Sequence, residues 1–206
     1  FLLLCFLFVV NGANLIDGFN GLLAINLIII NIILTYINVQ NANIELSFFI
    51  IGQIVILLSF LLFNFPNAKI FLGDSGSYLL GSITALNTIM TNNLNPDYSS
   101  FFFCILLFYI FFEVFFSFIR KVVQKKSPIH PDNKHLHMLN FEIISSKFGK
   151  KESNYINSIM INIAYSVLVT PALLFAKDPL MSRYWFFFLI TIYLLVYFRL
   201  YRLTKN

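Results

Sequence analysis

The stretch NGANLIDGFNGLLAINLIIINIILTYIN, residues Asn11–Asn38, decides the fold. Its first ten residues are polar and turn-rich, with Asp17-Gly18 and Asn20-Gly21 as turn dipeptides. The remainder, Gly21–Asn38, is an apolar run of the length that crosses a hydrocarbon core about 30 Å thick as an α-helix. A polar motif opening directly onto a spanning segment is the signature of a polytopic membrane protein whose chemistry sits at helix ends.

The same pattern recurs outward from this stretch. Leu46–Phe63, Ser75–Thr91, Ser99–Ile119, Ile156–Ala176 and Tyr184–Leu203 each have spanning length. Ser75–Thr91 holds Ser75, Gly76, Ser77, Gly81, Ser82 and Asn87, small and polar residues that favour close packing inside a bundle. Upstream, Phe1–Val10 is too short to cross a bilayer, and it lacks the basic start and cleavage site of a signal peptide. It reads as the second half of a helix, so the chain is expected to be the C-terminal part of a longer, N-terminally truncated protein. The fold expected is an all-α, polytopic transmembrane helix bundle of six full spans plus a partial first helix. Residues 1–206 form one multi-pass domain, with a basic, histidine-containing cytoplasmic loop at 120–155.

Composition agrees. Hydrophobic residues make up 59% of the 206, charged residues only 11%, and there are 26 phenylalanines; mean hydropathy is +0.81. So few charges cannot cover a soluble globule, which excludes a soluble domain, a disordered tail and a basic nucleic-acid-binding surface. Placing the Asn11–Asn20 break in the cytoplasm puts 12 of the 14 Lys and Arg on that side, leaving only Lys177 and Arg183 opposite. The net charge of +5 is therefore a topology signal. Cys5 and Cys104, far apart in apolar runs, read as small buried hydrophobes.

Three polar motifs share the cytoplasmic side of this topology: Asn11–Leu22, Asn64–Ser77 and Ser127–His137. Taken singly, Asp17-Gly18 and Asn20-Gly21 are ordinary turns, and Asp74 before Ser75 is a helix cap. All three histidines, His130, His135 and His137, lie in the third motif. No thiolate or nearby fourth ligand makes them a zinc site. Together the motifs suit a magnesium diphosphate: carboxylates Asp17 and Asp74, amides Asn11, Asn14 and Asn20, a cationic loop, and helix N-termini after Gly21 and Asp74. Phe71 offers a flat face to a base.

At these residues the chain resembles the polyprenyl-phosphate N-acetylhexosamine-1-phosphate transferases, classed as glycosyltransferase family 4. The resemblance rests on N-x-x-N-x-x-D-G-x-[ND]-G-L at Asn11–Leu22, F-N-x-P-x-A-K-x-F-x-G-D-x-G-S at Phe63–Ser77, and S-P-x-x-P-D-x-x-H-x-H at Ser127–His137. It implies transfer of an N-acetylaminosugar-1-phosphate from a UDP-sugar to a polyprenyl (undecaprenyl) phosphate. UMP is released, and the product serves cell-envelope polysaccharide or lipopolysaccharide O-antigen synthesis at the inner membrane.

By that resemblance Asp74 and Asn14 hold magnesium, or manganese in its place. Asn20 and the backbone at Gly18 meet the uracil, Phe71 stacks on it, and Asn64 and Asn11 lie near the donor. His135 and His137, with Lys134, bind diphosphate or sugar. Asp17 is a family acid whose role lies between metal tuning and structure. A homodimer is also implied. Glu113 and Arg120, seven residues apart on one helix face, resemble the family's last helix before the loop, either as a structural pair or as active-site support.

Two departures stand out. Met138 occupies the place of a further family histidine, and the paired aspartates of an upstream family loop, implicated in handling the lipid phosphate, are absent from the 206 residues. The P-D-x-x-H-x-H loop resembles the N-acetylglucosamine branch more than the phospho-N-acetylmuramoyl-pentapeptide branch, whose H-H-H-F-E is only echoed by His137–Glu142. A reading of a different class makes Asn26, Asn31, Gln53 and Asn87 the lining of a transport path, and another makes the chain a non-catalytic remnant.

Overall fold

The computed structural model describes residues 2–128, 130 and 132–205; Phe1 and Pro131, which belong to the first apolar run and the third motif, lie outside them. The described residues form helices and connecting turns with no strand. In chain order these are α1 (Leu2–Ile16), α2 (Leu22–Gln40), α3 (Ile44–Asn64), α4 (Gly73–Leu94), α5 (Ser100–Leu106), α6 (Phe108–Val123), α7 (Leu136–Phe148), α8 (Lys150–Val169) and α9 (Pro179–Leu203). A short 3-10 turn, Thr170–Phe175, continues α8.

Helix ends follow local chemistry. The Ser99 hydroxyl accepts the Phe101 N–H at the start of α5, and the Asp178 carboxylate accepts the N–H groups of Leu180 and Met181 above Pro179 at the start of α9. Pro171 cannot donate to the preceding turn, and at this point α8 tightens into the 3-10 segment.

Among the described residues, four helices are long and apolar enough to cross a membrane: α2, α3, α8 with its 3-10 extension, and α9. The expected Ser99–Ile119 span is broken, because α5 and α6 meet at Leu107 with a bend of 79°. The Leu106 carbonyl there accepts the Tyr165 hydroxyl, which anchors the bend to α8. Counting the bent pair as one makes five. The sixth expected span is α4. At 22 residues it is about 33 Å long, but its Ser, Thr, Asn and Gly content makes it less apolar than the others. It packs on α1 and α2. A Cβ on Gly81 would lie 2.5 Å from that of Ala13, and one on Gly12 would overlap the Ile110 carbonyl of α6. Both crossings of α1 therefore need small residues.

Two expectations about connections change. Asn11 and Asn14 are not in a break but in the last turns of α1, because nothing before Asp17-Gly18 stops the helix. Residues 120–155 are not one loop either. The helix α6 runs to Val123, α7 occupies Leu136–Phe148, and α8 starts at Lys150, leaving 124–135 as the connector. Nor is Cys104 buried: it is exposed on the bundle's apolar exterior, and Cys5 is half-buried.

Many polar residues inside the spans bond to one another, while Asn26 Oδ1, Asn31 Oδ1 and Thr35 Oγ1 have no hydrogen-bond partner among the described residues. Gln53 donates to Thr84 Oγ1 at 2.8 Å and accepts from Asn87 at 2.8 Å; Asn38 donates to Thr91 at 2.7 Å; Asn26 meets Asn162 at 3.4 Å. They join α2, α3, α4 and α8, as interhelical hydrogen bonds do in membrane bundles.

Candidate active site

The turn Asp17–Gly21 between α1 and α2 is the hub of the site. The Asn20 N–H is held by Asn154 Oδ1 of α8 at 2.8 Å, and its side chain donates to the Pro66 carbonyl at 2.7 Å. The Gly21 N–H donates to Asn64 Oδ1 at 2.6 Å, while Asn64 Nδ2 donates to the Ile70 carbonyl at 2.8 Å. Asn64 is buried, so both ends of its amide go to backbone. The sequence reading placed Asn64 beside the donor; the structure makes it the pin between the first and second motifs. Asn20 likewise spends its amide N–H on Pro66 and keeps its carbonyl free.

On the other side of the turn, Asn14 Nδ2 donates to Asp74 Oδ1 at 2.9 Å and to Ser77 Oγ at 3.0 Å. This ties the last turn of α1 to the first turn of α4, where Asp74 is exposed. No side chain caps α4, so Asp74 is not a cap. Asp17 is half-buried beside it. Burial pushes the Asp17 carboxyl up to about 7, the Gly73 N–H opposing this and the Asp74 charge adding to it.

Two neighbouring carboxylates, neither in a salt bridge among the described residues, and the carbonyl oxygen of Asn14 make a hard-oxygen donor set. No group of three or more His, Cys, Asp or Glu suited to a metal occurs among the described residues. A cation here would take few protein ligands, which fits magnesium completed by phosphate oxygens and not a closed structural site.

The surroundings are open. Gly18 is exposed, with no atom within 4 Å of where a Cβ would stand. Phe71 is 64% exposed on the segment leading into α4. Asn11 is exposed one turn before Asn14 and donates to the Leu7 carbonyl of its own helix.

The third motif reaches the same end of the bundle by a different route. Arg120 at the end of α6 grips Asp132 through two parallel bonds, 2.7 and 3.1 Å, and also donates to Ser117. Burial alone would raise the Asp132 carboxyl, but the hydrogen bond and charge of Arg120 outweigh it and hold it at about 2. Lys121 donates to the carbonyls of Pro128 and His130. Lys134 lies with Nζ 5.5 Å from the centre of the Tyr201 ring, and its carbonyl accepts from Tyr197.

His135 and His137 lie deeper than their place in a connector suggests. Both are turned inward, 4% and 0% exposed, and His137 Nε2 has no hydrogen-bond partner among the described residues. His135 Nδ1 is 3.3 Å from Glu113 Oε2, and His137 Nδ1 is 3.3 Å from the Tyr109 hydroxyl. The two rings stack with centroids 5.6 Å apart. Burial drives the His137 imidazole down to about 4, with Glu113 opposing and His135 reinforcing. Glu113 does not pair with Arg120: its other oxygen accepts the Tyr193 hydroxyl at 2.9 Å. An acid enclosed among apolar helices needs such partners. Sequence reasoning missed Asn154 and the Asp132–Arg120 pair. Asp132 stood inside the quoted motif, while Asn154 carried no signal.

The family profile described as Glycosyl transferase family 4 matches residues 1–92, which include the first two motifs. The first 92 residues of the chain are thus similar to glycosyl transferase family 4. Among curated relatives, an undecaprenyl-phosphate alpha-N-acetylglucosaminyl 1-phosphate transferase of Thermotoga maritima is 33% identical over 190 residues, 92% of this chain and 54% of the relative. A probable undecaprenyl-phosphate N-acetylglucosaminyl 1-phosphate transferase of Bacillus subtilis is 32% identical over 63% of this chain and 36% of its own length. A phospho-N-acetylmuramoyl-pentapeptide-transferase of Leuconostoc citreum is 43% identical over 39% of this chain and 25% of its own. The chain spans about half the length of the Thermotoga relative, and less of the other two. No solved structure matches it.

Proposed function

We propose that the protein carrying this chain transfers an N-acetylaminosugar-1-phosphate from a UDP-sugar to a polyprenyl phosphate at the cytoplasmic face of the inner membrane. A phosphate oxygen of the lipid attacks the β-phosphorus of the UDP-sugar, the bond from that phosphorus to the bridging oxygen of UMP breaks, and UMP leaves with the electron pair. The products are UMP and a polyprenyl diphosphate sugar for envelope polysaccharide or lipopolysaccharide O-antigen. A homodimer is the proposed assembly.

The observation that carries this reading is the Asn14–Asp74 contact with Asp17 beside it, on an open face bounded by Gly18 and Phe71. Asp74, Asn14 and Asp17 would hold magnesium or manganese, which when bound would neutralise the charge of two anionic reactants. The chain's own residues orient the donor. The free Asn20 carbonyl and the Gly18 backbone meet the uracil, Phe71 stacks on it, and Lys134 with the neighbouring loop cations faces the phosphates. Positioning is the main contribution such a site makes to phosphoryl transfer. The longer match to the N-acetylglucosaminyl relatives favours that donor over the muramoyl-pentapeptide one.

The test is UMP release by the full-length protein in membranes, supplied with UDP-N-acetylglucosamine and magnesium, with and without polyprenyl phosphate. Release that requires the lipid supports the reading. Its absence with every UDP-aminosugar, while a relative is active under the same conditions, contradicts it.

A further inference from the structure

Glu113 is the most enclosed acid of the chain, 1% exposed in the middle of α6, and the transfer chemistry above makes no use of it. A carboxylate so placed is costly unless its oxygens are satisfied. Oε1 takes the Tyr193 hydroxyl of α9, and Oε2 faces Nδ1 of His135 at 3.3 Å and of His137 at 4.0 Å. One acid thereby gathers α6, α9 and the start of α7 at a point.

The cluster continues towards the candidate site. The His137 ring meets the Phe19 ring edge to face, centroids 5.6 Å apart, and Phe19 is itself buried against Phe141 of α7. Phe19 lies between Gly18 and Asn20, two residues from Asp17. The His137 carbonyl accepts Asn157 Nδ2 of α8, and Asn154, almost one turn earlier on α8, accepts the Asn20 N–H. The turn that carries Asp17 and Asn20 therefore rests on two supports: the Asn154 hydrogen bond and the Phe19 ring pressed on His137.

We propose that Glu113 is a positioning residue for the Asp17–Asn20 turn, acting through His137 and Phe19. The stacked histidines link the interior acid to the turn. An outer partner that orients a binding group typically contributes about 10–100-fold to affinity.

The experiment uses the full-length protein with every native cysteine, Cys5 and Cys104 included, replaced by Ser and a reporter Gly18→Cys, a position with open space around it. Thiol-labelling rate is measured in that parent and after adding Glu113→Gln, Phe19→Leu or both. The expected result is labelling faster by about fivefold or more in each single variant, with no further rise in the double. Unchanged labelling in Glu113→Gln, or a double variant whose effects multiply, overturns the proposal. If Glu113→Gln does not fold, Tyr193→Phe, which removes only the hydroxyl on Oε1, takes its place.

A kinetic arm rests on the transfer reading. In protein without the reporter, Glu113→Gln raises donor KM and half-saturating magnesium about tenfold and leaves polyprenyl-phosphate KM unchanged. A fall in kcat alone overturns it. A protein that releases no UMP at all sinks the transfer reading, and the labelling arm still decides the role of Glu113.

Discussion

Asn14 donates its side-chain amide to the Asp74 carboxylate at 2.9 Å, joining two residues 60 positions apart in the chain. The contact makes the end of α1 and the start of α4 one surface. Its amide oxygen and both acids remain available to a cation. Asp74→Asn and Asp17→Asn each lower transfer activity by about a thousandfold, the scale of losing a charge-stabilising group. Asn14→Ala raises the half-saturating magnesium concentration about 10–100-fold. Initial rates of UMP release across a magnesium titration check all three.

Asn64→Ala leaves the Gly21 N–H and the Ile70 carbonyl without their partner. The Gly21 N–H is buried, and such a group left unsatisfied costs about 1–3 kcal/mol, so this variant loses thermal stability in detergent whether or not substrate is present. Phe71→Ala, by contrast, removes an exposed ring and leaves the unfolding temperature unchanged. Its donor KM rises.

The sequence foretold which motifs meet and which helices carry them. Apolar runs bounded by turn residues announce spans, and Asp17-Gly18, Asn64 and Asp74 do lie at one end of the bundle. It did not show the directions of side chains. Asn64 reads as a polar residue beside a site, yet its amide fits between two backbone strands of chain from different motifs, a relation that only tertiary packing sets. His135 and His137 likewise carry the same letters whether they face water or Glu113. The break at Leu107 was hidden because the Tyr165 hydroxyl that holds it comes from a helix some sixty residues later.

The pH response of the fold follows from His137. Its folded pKa of about 4 lies below the ordinary 6.5, so the unfolded chain binds the extra proton across that window. Its contribution to stability is complete above pH 6.5 and is lost progressively as pH falls to about 4. Asp17, raised to about 7, runs in the opposite direction over the same range, so comparison with a variant isolates the histidine. Denaturant unfolding of His137→Gln shows a flatter fall in stability between pH 6.5 and 4 than the parent.

Asp132 responds lower down. Held at about 2 by Arg120, it contributes stability that is complete above pH 3.8 and lost as pH falls through 2. Arg120→Lys loses the two-pronged geometry and raises the Asp132 pKa towards 3.8, visible in carboxyl titration by NMR with isotope-labelled aspartate.

The central claim is that a sugar-1-phosphate, and not a bare sugar, moves to the lipid. Full-length protein is given UDP-N-acetylglucosamine labelled with phosphorus-32 at the β-phosphate, with polyprenyl phosphate and magnesium, and the lipid is extracted. The account predicts label in the organic phase, unlabelled UMP in the aqueous phase, and loss of both products in Asp74→Asn. Label retained in UDP while the sugar alone appears on the lipid would contradict it.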